Sequence, residues 1–237
     1  LTIVPWEHSK ALQPVDHIIE RFRHILTPSV LAMLGSVCPV LNVVSEHEST
    51  EAVVKSGPYS MSFTTGTLLH QESVKLAELY LKLKDWNVVR DEVVVGNLLQ
   101  ARTVKTSKSI CPVVISRLKT LAPMELELLV RGSTQEQGYL LWIATCRRYP
   151  FIAEFAVELL RERYLSLKPD IQYEDFDVFF NGKVAWHPEL GDIQPSTRNK
   201  LRQVLFKMLR EADLLADDHS IRAALLTPAL IAAIPPD

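Results

Sequence analysis

The side chains best suited to chemistry in this sequence are the basic and amide groups of residues 196–212, STRNKLRQVLFKMLREA. Asn199 and Gln203 stand four residues apart, so they project together from one side of a helix. Asn and Gln pair with adenine edges in the major groove, whereas Arg and Lys contact guanine or phosphate. The stretch therefore predicts a DNA-binding surface. Its bases are Arg198, Lys200, Arg202, Lys207 and Arg210.

The opposite side of the same helix is apolar, which predicts a stripe packed on the domain core. The stripe consists of Leu201, Val204, Leu205, Met208, Leu209 and Ala212. Ser196 or Thr197 is expected to cap the helix, where free N–H groups suit a phosphate. Phe206 falls on the polar side, and it either packs against the preceding helix or touches a thymine methyl group.

Residues 193–210 contain no acid, and neither does a second basic stretch, residues 101–120, which holds Arg102, Lys105, Lys108, Arg117 and Lys119. Because Pro112 lacks a backbone donor, the helix is predicted to begin near Ser109, with the first three bases on the entering turn. Without the ten bases of these two stretches, the rest of the chain has 16 of the 26 Lys and Arg residues but all 28 Asp and Glu residues, so it is strongly acidic. Such segregation is typical of polyanion binding, although a solvated or internally paired helix face has the same pattern.

Other chemistry finds little support in the sequence. The three cysteines are far apart and form no Cys-x-x-Cys pair, so we expect no zinc site, no disulfide framework and a reducing cytoplasm. Signatures of phosphate loops, zinc proteases, serine hydrolases and kinases are missing. His187, near Glu189, is interpreted as a helix-end cap, and His219 as part of a polar turn or a phosphate contact. We therefore predict no catalytic residue, metal or cofactor.

The elements that position these residues are predicted to be mainly α-helical. The 237 residues, 47% hydrophobic and 23% charged, suit a globular chain. We expect an N-terminal segment of uncertain role at 1–58 and a helical bundle at 59–149, followed by a winged helix-turn-helix with a short β-hairpin at 150–237. The last region orders helices near 152–166, 173–185 and 196–212 before a turn at 217–220. Asp213 departs from this pattern, because winged-helix turns often have Gly there.

An uncharged run at residues 25–45, ILTPSVLAMLGSVCPVLNVVS, is long enough for a membrane span. Thr27-Pro28 instead indicates the start of a short helix that ends near Gly35. We favour burial of this run against the body or a second chain over membrane insertion, and thus expect no membrane partner.

Residues from about Tyr59 to Leu230 resemble the BrxA proteins of bacterial bacteriophage-exclusion (BREX) defence systems. The segments that carry the resemblance are TTGTLLHQESVKLAELYL, DWNVVRDEVVVGNLLQART, LLWIATCRRYPFIAEFAVELLRERYL, YEDFDVFFNGKVAWHPEL and STRNKLRQVLFKMLREADLL. The resemblance implies a small helical protein similar to the antitermination factor NusB, non-enzymatic and able to bind DNA. It also implies an operon with a methyltransferase, an alkaline-phosphatase-like protein and an ATPase. The resemblance does not extend to residues 1–58.

Three functions remain open at this point. The first is a DNA-binding accessory subunit that contacts double-stranded DNA and other BREX proteins. The second is an assembly adaptor, suggested by the acidic remainder, by residues 25–45 and by the aromatic segment YEDFDVFFNGKVAW. The third is RNA binding through the bases of residues 101–120.

Overall fold

The structure is a computed structural model, and it describes residues 58–96, 98–99 and 103–234. Within these ranges the chain is mainly helical, and pairing between extended residues is limited to isolated bridges. The predictions for the N-terminal segment, for residues 25–45 and for Arg102 lie outside the described residues. None of the helices in the described ranges combines the length and hydropathy that a bilayer crossing requires.

The first part of the described chain is a set of helices with short connections. They are α1 (His70–Leu83), α2 (Trp86–Val95), α3 (Val104–Leu118), α4 (Pro123–Arg131) and α5 (Thr134–Arg148). Side chains cap the starts of two of these helices. The Asp85 carboxylate accepts the Asn87 N–H at 2.7 Å, and Ser133 forms a reciprocal capping box with Glu136.

Helix α3 begins earlier than the sequence predicted. It starts after Thr103, whose hydroxyl caps the first turn, and Pro112 lies in its interior. Proline there removes one helical hydrogen bond, but the inner face of the helix is buried and this packing offsets the loss. Lys105 and Lys108 therefore belong to the helix, and their predicted position on an entering turn is wrong.

The second part of the chain contains the three helices predicted near 152–166, 173–185 and 196–212. The first is divided into α6 (Pro150–Glu154), a π-helical segment (Phe155–Arg161) and α7 (Glu162–Leu165). The others are α8 (Tyr173–Val184) and α9 (Pro195–Glu211), separated by the 3₁₀ turn Pro188–Leu190, and the described chain closes with α10 (Pro228–Ala233). Pro195 is the first residue of α9, because its fixed φ suits that position. The predicted cap at Ser196 or Thr197 is therefore wrong.

The turn after α9 pairs short extended pieces of the chain. Leu215 bridges Ile221, and Asp170, which precedes α8, bridges Ser220, in both cases antiparallel. Asp213 adopts the left-handed conformation, with φ of 56°, that was expected to need glycine. Its carboxylate accepts a hydrogen bond from Arg222, which helps to hold this conformation.

One cluster of buried apolar side chains extends from Tyr59 to Leu230. Near the predicted domain boundary, the ring of Phe63 lies 5.6 Å from that of Tyr149 and 6.4 Å from that of Phe151. Helix α10 returns to pack on α4, and α9 packs on α5. Both regions thus share packing, while their division at residue 149 stays a prediction.

Candidate nucleic-acid interface

Helix α9 is amphipathic as the sequence predicted. Every member of its apolar stripe is buried, from Leu201, which has no exposed area, to Ala212 with 1%. Phe206 is also fully buried, and its ring centroid lies 4.6 Å from that of Tyr173 at the start of α8. Phe206 therefore packs against the preceding helix, which leaves it no access to a thymine methyl group.

The outer face of α9 exposes both amides and two of the five bases. The exposed residues of this face are Asn199, Lys200, Gln203 and Lys207. Each of them lies within about one helical turn of the next. Lys200 has no ion-pair partner among the described residues. Lys207 lies 3.8 Å from Glu211 through its ammonium group, and its side chain keeps 65% of its area exposed. This face is uncharged or positive from residue 196 to residue 207.

Two arginines of α9 are held by an acid from α8 instead of facing solvent freely. Arg198 donates from Nε to Asp177 Oδ1 at 3.0 Å and from Nη2 to the Asp177 carbonyl at 2.9 Å. Its guanidinium also stacks 4.5 Å from the centroid of Phe180. Arg202 donates to the second oxygen of Asp177 and lies over the ring of Tyr173. Asp177 therefore neutralises part of the charge that the sequence assigned to a DNA surface.

Arg210 points toward the turn that follows α9. Its Nη2 lies 3.2 Å from His219 Nε2, and its Nε lies 3.9 Å from a carboxylate oxygen of Asp217. His219 Nδ1 lies 3.1 Å from the Ile171 carbonyl. Because a carbonyl only accepts and a guanidinium only donates, the neutral ring with its proton on Nδ1 fits both contacts. His219 is thus a half-buried link between this turn, α9 and the segment before α8, and not a solvated loop residue.

The described bases of α3 are divided between surface and interior. Lys105, Lys108 and Lys119 are exposed, and their spacing of three and eleven residues places them on one side of the helix. None of the three has an ion-pair partner within the described ranges. They form a row of unpaired positive charge.

Arg117, by contrast, is only 2% exposed. It donates to the Thr67 carbonyl, and its guanidinium lies 5.6 Å from the ring centroid of Tyr149. Burial lowers the pKa of the Arg117 side chain. Arg117 therefore does not lie on the surface formed by the lysines of α3.

The C-terminal ends of α3 and α9 meet through Thr67. The Thr67 carbonyl accepts from Arg117, while the Thr67 hydroxyl donates to Glu211 at 2.7 Å. Glu211 also accepts the Leu68 N–H at 2.8 Å. The two basic helices are thus joined at one side of the fold by a short hydrogen-bonded segment.

The remaining polar clusters serve the packing of the fold. His187 is 7% exposed, stacks on Tyr59 with 3.8 Å between ring centroids, and lies 3.2 Å from Glu189. It occupies the N-cap position directly before the 3₁₀ turn, but its side chain makes no capping hydrogen bond there, so the predicted role as a side-chain cap is wrong. Within the described ranges, no three His, Cys, Asp or Glu residues are grouped so that they would hold a metal ion.

Sequence reasoning missed Asp177 and Glu211 as partners of the basic helices. The partners of Asp177 lie 21 and 25 positions farther along the chain, on a different helix. An acidic residue on one helix can indicate an ion pair with a basic residue on a neighbouring helix. Whether the two side chains come into contact depends on how the two helices cross.

Comparisons with known proteins point to one family. A family model described as BrxA matches residues 57–235. The BREX protein BrxA of Escherichia coli O9:H4 (strain HS) is 30% identical over 147 residues, which cover 62% of this chain and 69% of that protein. The BREX protein BrxA of Paramagnetospirillum magneticum (strain ATCC 700264 / AMB-1) is 25% identical, with 69% and 82% covered. That of Bacillus cereus (strain H3081.97) is 24% identical, with 72% and 85% covered.

A solved structure shares the fold. The crystal structure of an uncharacterized protein from Magnetospirillum magneticum superposes with a TM-score of 0.65 at 22% identity. The match covers 74% of this chain and 91% of that one. At this identity the likeness establishes the helical fold alone.

Proposed function

The chain belongs to the BrxA family, and we propose that it is a non-enzymatic subunit of a BREX defence system that binds double-stranded DNA through α9. We place it in the cytoplasm, where it works beside other BREX proteins. The observation that carries the proposal is the outer face of α9, on which two amides and two lysines are exposed over a fully buried apolar stripe.

The geometry of that face suits a major groove. The groove admits one α-helix, and each base pair presents hydrogen-bonding groups there that Asn and Gln can read. Asn199 and Gln203 lie one turn apart on α9 with their side chains exposed. Lys200 and Lys207 lie beside them on the exposed face, on one side of the two amides, where they can contact phosphates. We assign base reading to the amides and phosphate attraction to the lysines.

The order of elements in the second part of the chain supports a winged-helix arrangement. Three helical units, α6 to α7, α8 and α9, precede a turn. In this turn Leu215 pairs with Ile221, and Ser220 pairs with Asp170 in the segment before α8. In winged helix-turn-helix proteins the third helix enters the major groove, and the following turn lies beside it. One isolated bridge, between Leu215 and Ile221, flanks the turn predicted at 217–220, and the β-hairpin itself stays a prediction. The NusB-like character of the first part stays a prediction from the resemblance.

The arginines of α9 have a different role in this proposal. Arg198 and Arg202 fix α9 against α8 through Asp177, so that they orient the reading helix. Arg210 fixes the following turn through His219. Lys105, Lys108 and Lys119 of α3 add phosphate attraction that is independent of sequence, and they also form the surface that an RNA ligand would use.

Titration of duplex DNA across a salt series tests the proposal. Lys200→Glu/Lys207→Glu should weaken binding to every duplex and lower the salt slope by about two units, because each lost phosphate contact removes about one. The matched control is Lys75→Glu/Lys82→Glu on α1, which changes the net charge equally on another helix. Equal weakening by both variants would show that only net charge matters, and parental binding by the α9 variant would remove α9 as the contact.

The assembly adaptor is the second candidate function, and it predicts a different result. An adaptor should capture other BREX proteins equally well after nuclease treatment. Substitution of Lys200 and Lys207 should not change that capture. RNA binding through α3, the third candidate, depends on Lys105 and Lys108 and not on Lys200 and Lys207. Competition between duplex DNA and RNA for the α9 variant therefore separates this candidate from the first.

A further inference from the structure

Helix α8 and the turn directly after it expose an uncharged face, called the α8 face, that ends in a tryptophan. Val178 keeps 73% of its area exposed and Trp186 keeps 79%. Gly182 and Ala185 are exposed between them, at helical spacing from Val178. The nearest cation in the stretch, Lys183, is turned away and pairs with Glu154 and Glu158. The exposed side chains from residue 178 to residue 188 therefore carry no charge.

Gly182 is not required by packing within the described part of the chain. A Cβ built at Gly182 would meet no described atom within 4 Å. Glycine inside a helix is destabilising relative to alanine, and it is favoured where another segment must approach the backbone closely. Gly182 thus marks a place on α8 where a covering segment would come close.

The chain enters the described fold beside this face. The Tyr59 ring stacks on His187, the residue next to Trp186, and the Tyr59 N–H donates to Glu189 at 2.9 Å. The match to the BrxA family begins at residue 57, so residues 1–56 are additional to it. Whatever precedes Pro58 therefore starts at the C-terminal end of α8.

The preceding segment supplies an apolar run of suitable length. Residues 25–45 contain no charged side chain. The 12 residues from 46 to 57 that connect this run to the fold span up to roughly 40 Å when extended, at about 3.3 Å per residue. Helix α8 has 12 residues and is about 18 Å long at 1.5 Å per residue. The run reaches every part of the α8 face.

We propose that residues 25–45 pack on the face of α8 formed by Val178, Gly182, Ala185 and Trp186 of the same chain. Both surfaces are apolar and uncharged, and their association removes both from water. The chain itself holds the run close to the face, which raises its effective concentration over that of any separate partner. A second copy of the chain and another protein are the competing occupants.

The native Cys38 makes the proposal testable in the 237-residue chain. Cys38 lies within the apolar run, whereas Cys111 and Cys146 are buried and burial raises the pKa of both thiols, so that neither competes for labelling. Gly182→Cys places a second reactive thiol on the face. A short bis-maleimide should then join Cys38 to the introduced cysteine within one chain, as shown by peptide mapping at low protein concentration.

Two controls fix the interpretation of the cross-link. Gly182→Cys combined with Cys38→Ser should lose the product, and Lys82→Cys on α1 should give at least ten-fold less of it. A concentration-dependent link between two chains would assign the face to a second copy and overturn the proposal. A yield no higher than that of Lys82→Cys would overturn it as well.

Limited chymotrypsin digestion provides a second readout that needs no cross-linker. Gly182→Lys adds a charged side chain to the face and should speed cleavage within residues 25–45 several-fold, while Gly182→Ala, which adds only a methyl group, should raise the rate less. An equal rate in all three proteins would contradict the proposal. Neither readout involves DNA. A negative result would therefore contradict the packing of residues 25–45 on α8 without contradicting the proposed DNA binding.

Discussion

In α9 the arginines are tied to acids and rings of neighbouring elements, whereas in α3 the exposed lysines have no ion-pair partner within the described ranges. Residues 193–210 and 101–120 each hold five bases and no acid in the sequence. In the fold, Asp177 binds two of the α9 bases, and Arg117 of α3 is buried. The positive charge that a ligand meets is therefore set by partners and burial, and not by the composition of a helix.

The comparison also separates two kinds of binding. Helix α9 presents amides among its lysines, so it combines attraction with hydrogen bonds that depend on the base. Helix α3 presents a row of lysines, which attract phosphate without regard to sequence. We therefore expect α9 to control discrimination between DNA sequences and α3 to contribute general affinity.

The largest expected effect concerns Arg117, which distinguishes the interior of α3 from its surface. Arg117→Ala removes the donor to the Thr67 carbonyl and opens a cavity against Tyr149, so the free energy of unfolding should fall by about 2–4 kcal/mol. Urea denaturation measures this. Arg117→Met, which keeps much of the volume, should recover part of the loss. A stable Arg117→Ala protein with weakened DNA binding would show that Arg117 contacts the ligand instead.

The next effect concerns the reading face of α9. Asn199→Ala/Gln203→Ala should reduce discrimination between a preferred and an unrelated duplex by about 1–3 kcal/mol per bidentate pair, with less change in affinity for unrelated DNA. A selection from random duplexes, followed by competition binding, measures the difference. If preference is unchanged in the folded double variant, the amides of α9 do not read bases.

A smaller effect tests the acid that restrains the α9 arginines. Asp177→Asn keeps an acceptor oxygen and the backbone carbonyl bond that orient α9, but it removes the charge that neutralises Arg198 and Arg202. Duplex binding should therefore tighten by about 1 kcal/mol with a steeper salt dependence. Anisotropy titration at several salt concentrations measures both. Weaker binding at unchanged stability would mean that Asp177 serves DNA binding by orienting the arginines, and that its charge does not compete with phosphate.

The smallest effect is expected on the stability of α3. Lys105→Ala/Lys108→Ala changes exposed side chains without ion-pair partners in the described structure, so the free energy of unfolding should change by less than about 0.5 kcal/mol. The same variant should lower the salt slope of duplex binding and leave sequence preference intact. A larger loss of stability would indicate that these lysines have structural partners.

Local patterns determined much of this fold from the sequence. The apolar stripe of α9 was predicted, because it depends on the spacing of residues within one helix. The Asp85 cap and the Ser133 capping box are local in the same sense, because each joins residues within about one helical turn. The segregation of basic residues and the BrxA family were also readable from the sequence. The start of α3 was not, because tertiary packing outweighs the local preference of Pro112.

Only the tertiary structure decided which of the basic residues face solvent. Whether Asp177 meets Arg198 and Arg202 depends on how α8 crosses α9, and the burial of Arg117 depends on how α3 packs beside Thr67 and Tyr149. These contacts join positions 21 to 50 residues apart. Helical periodicity describes one helix at a time, whereas an ion pair between helices requires the relative position of two, which is set by the shared core.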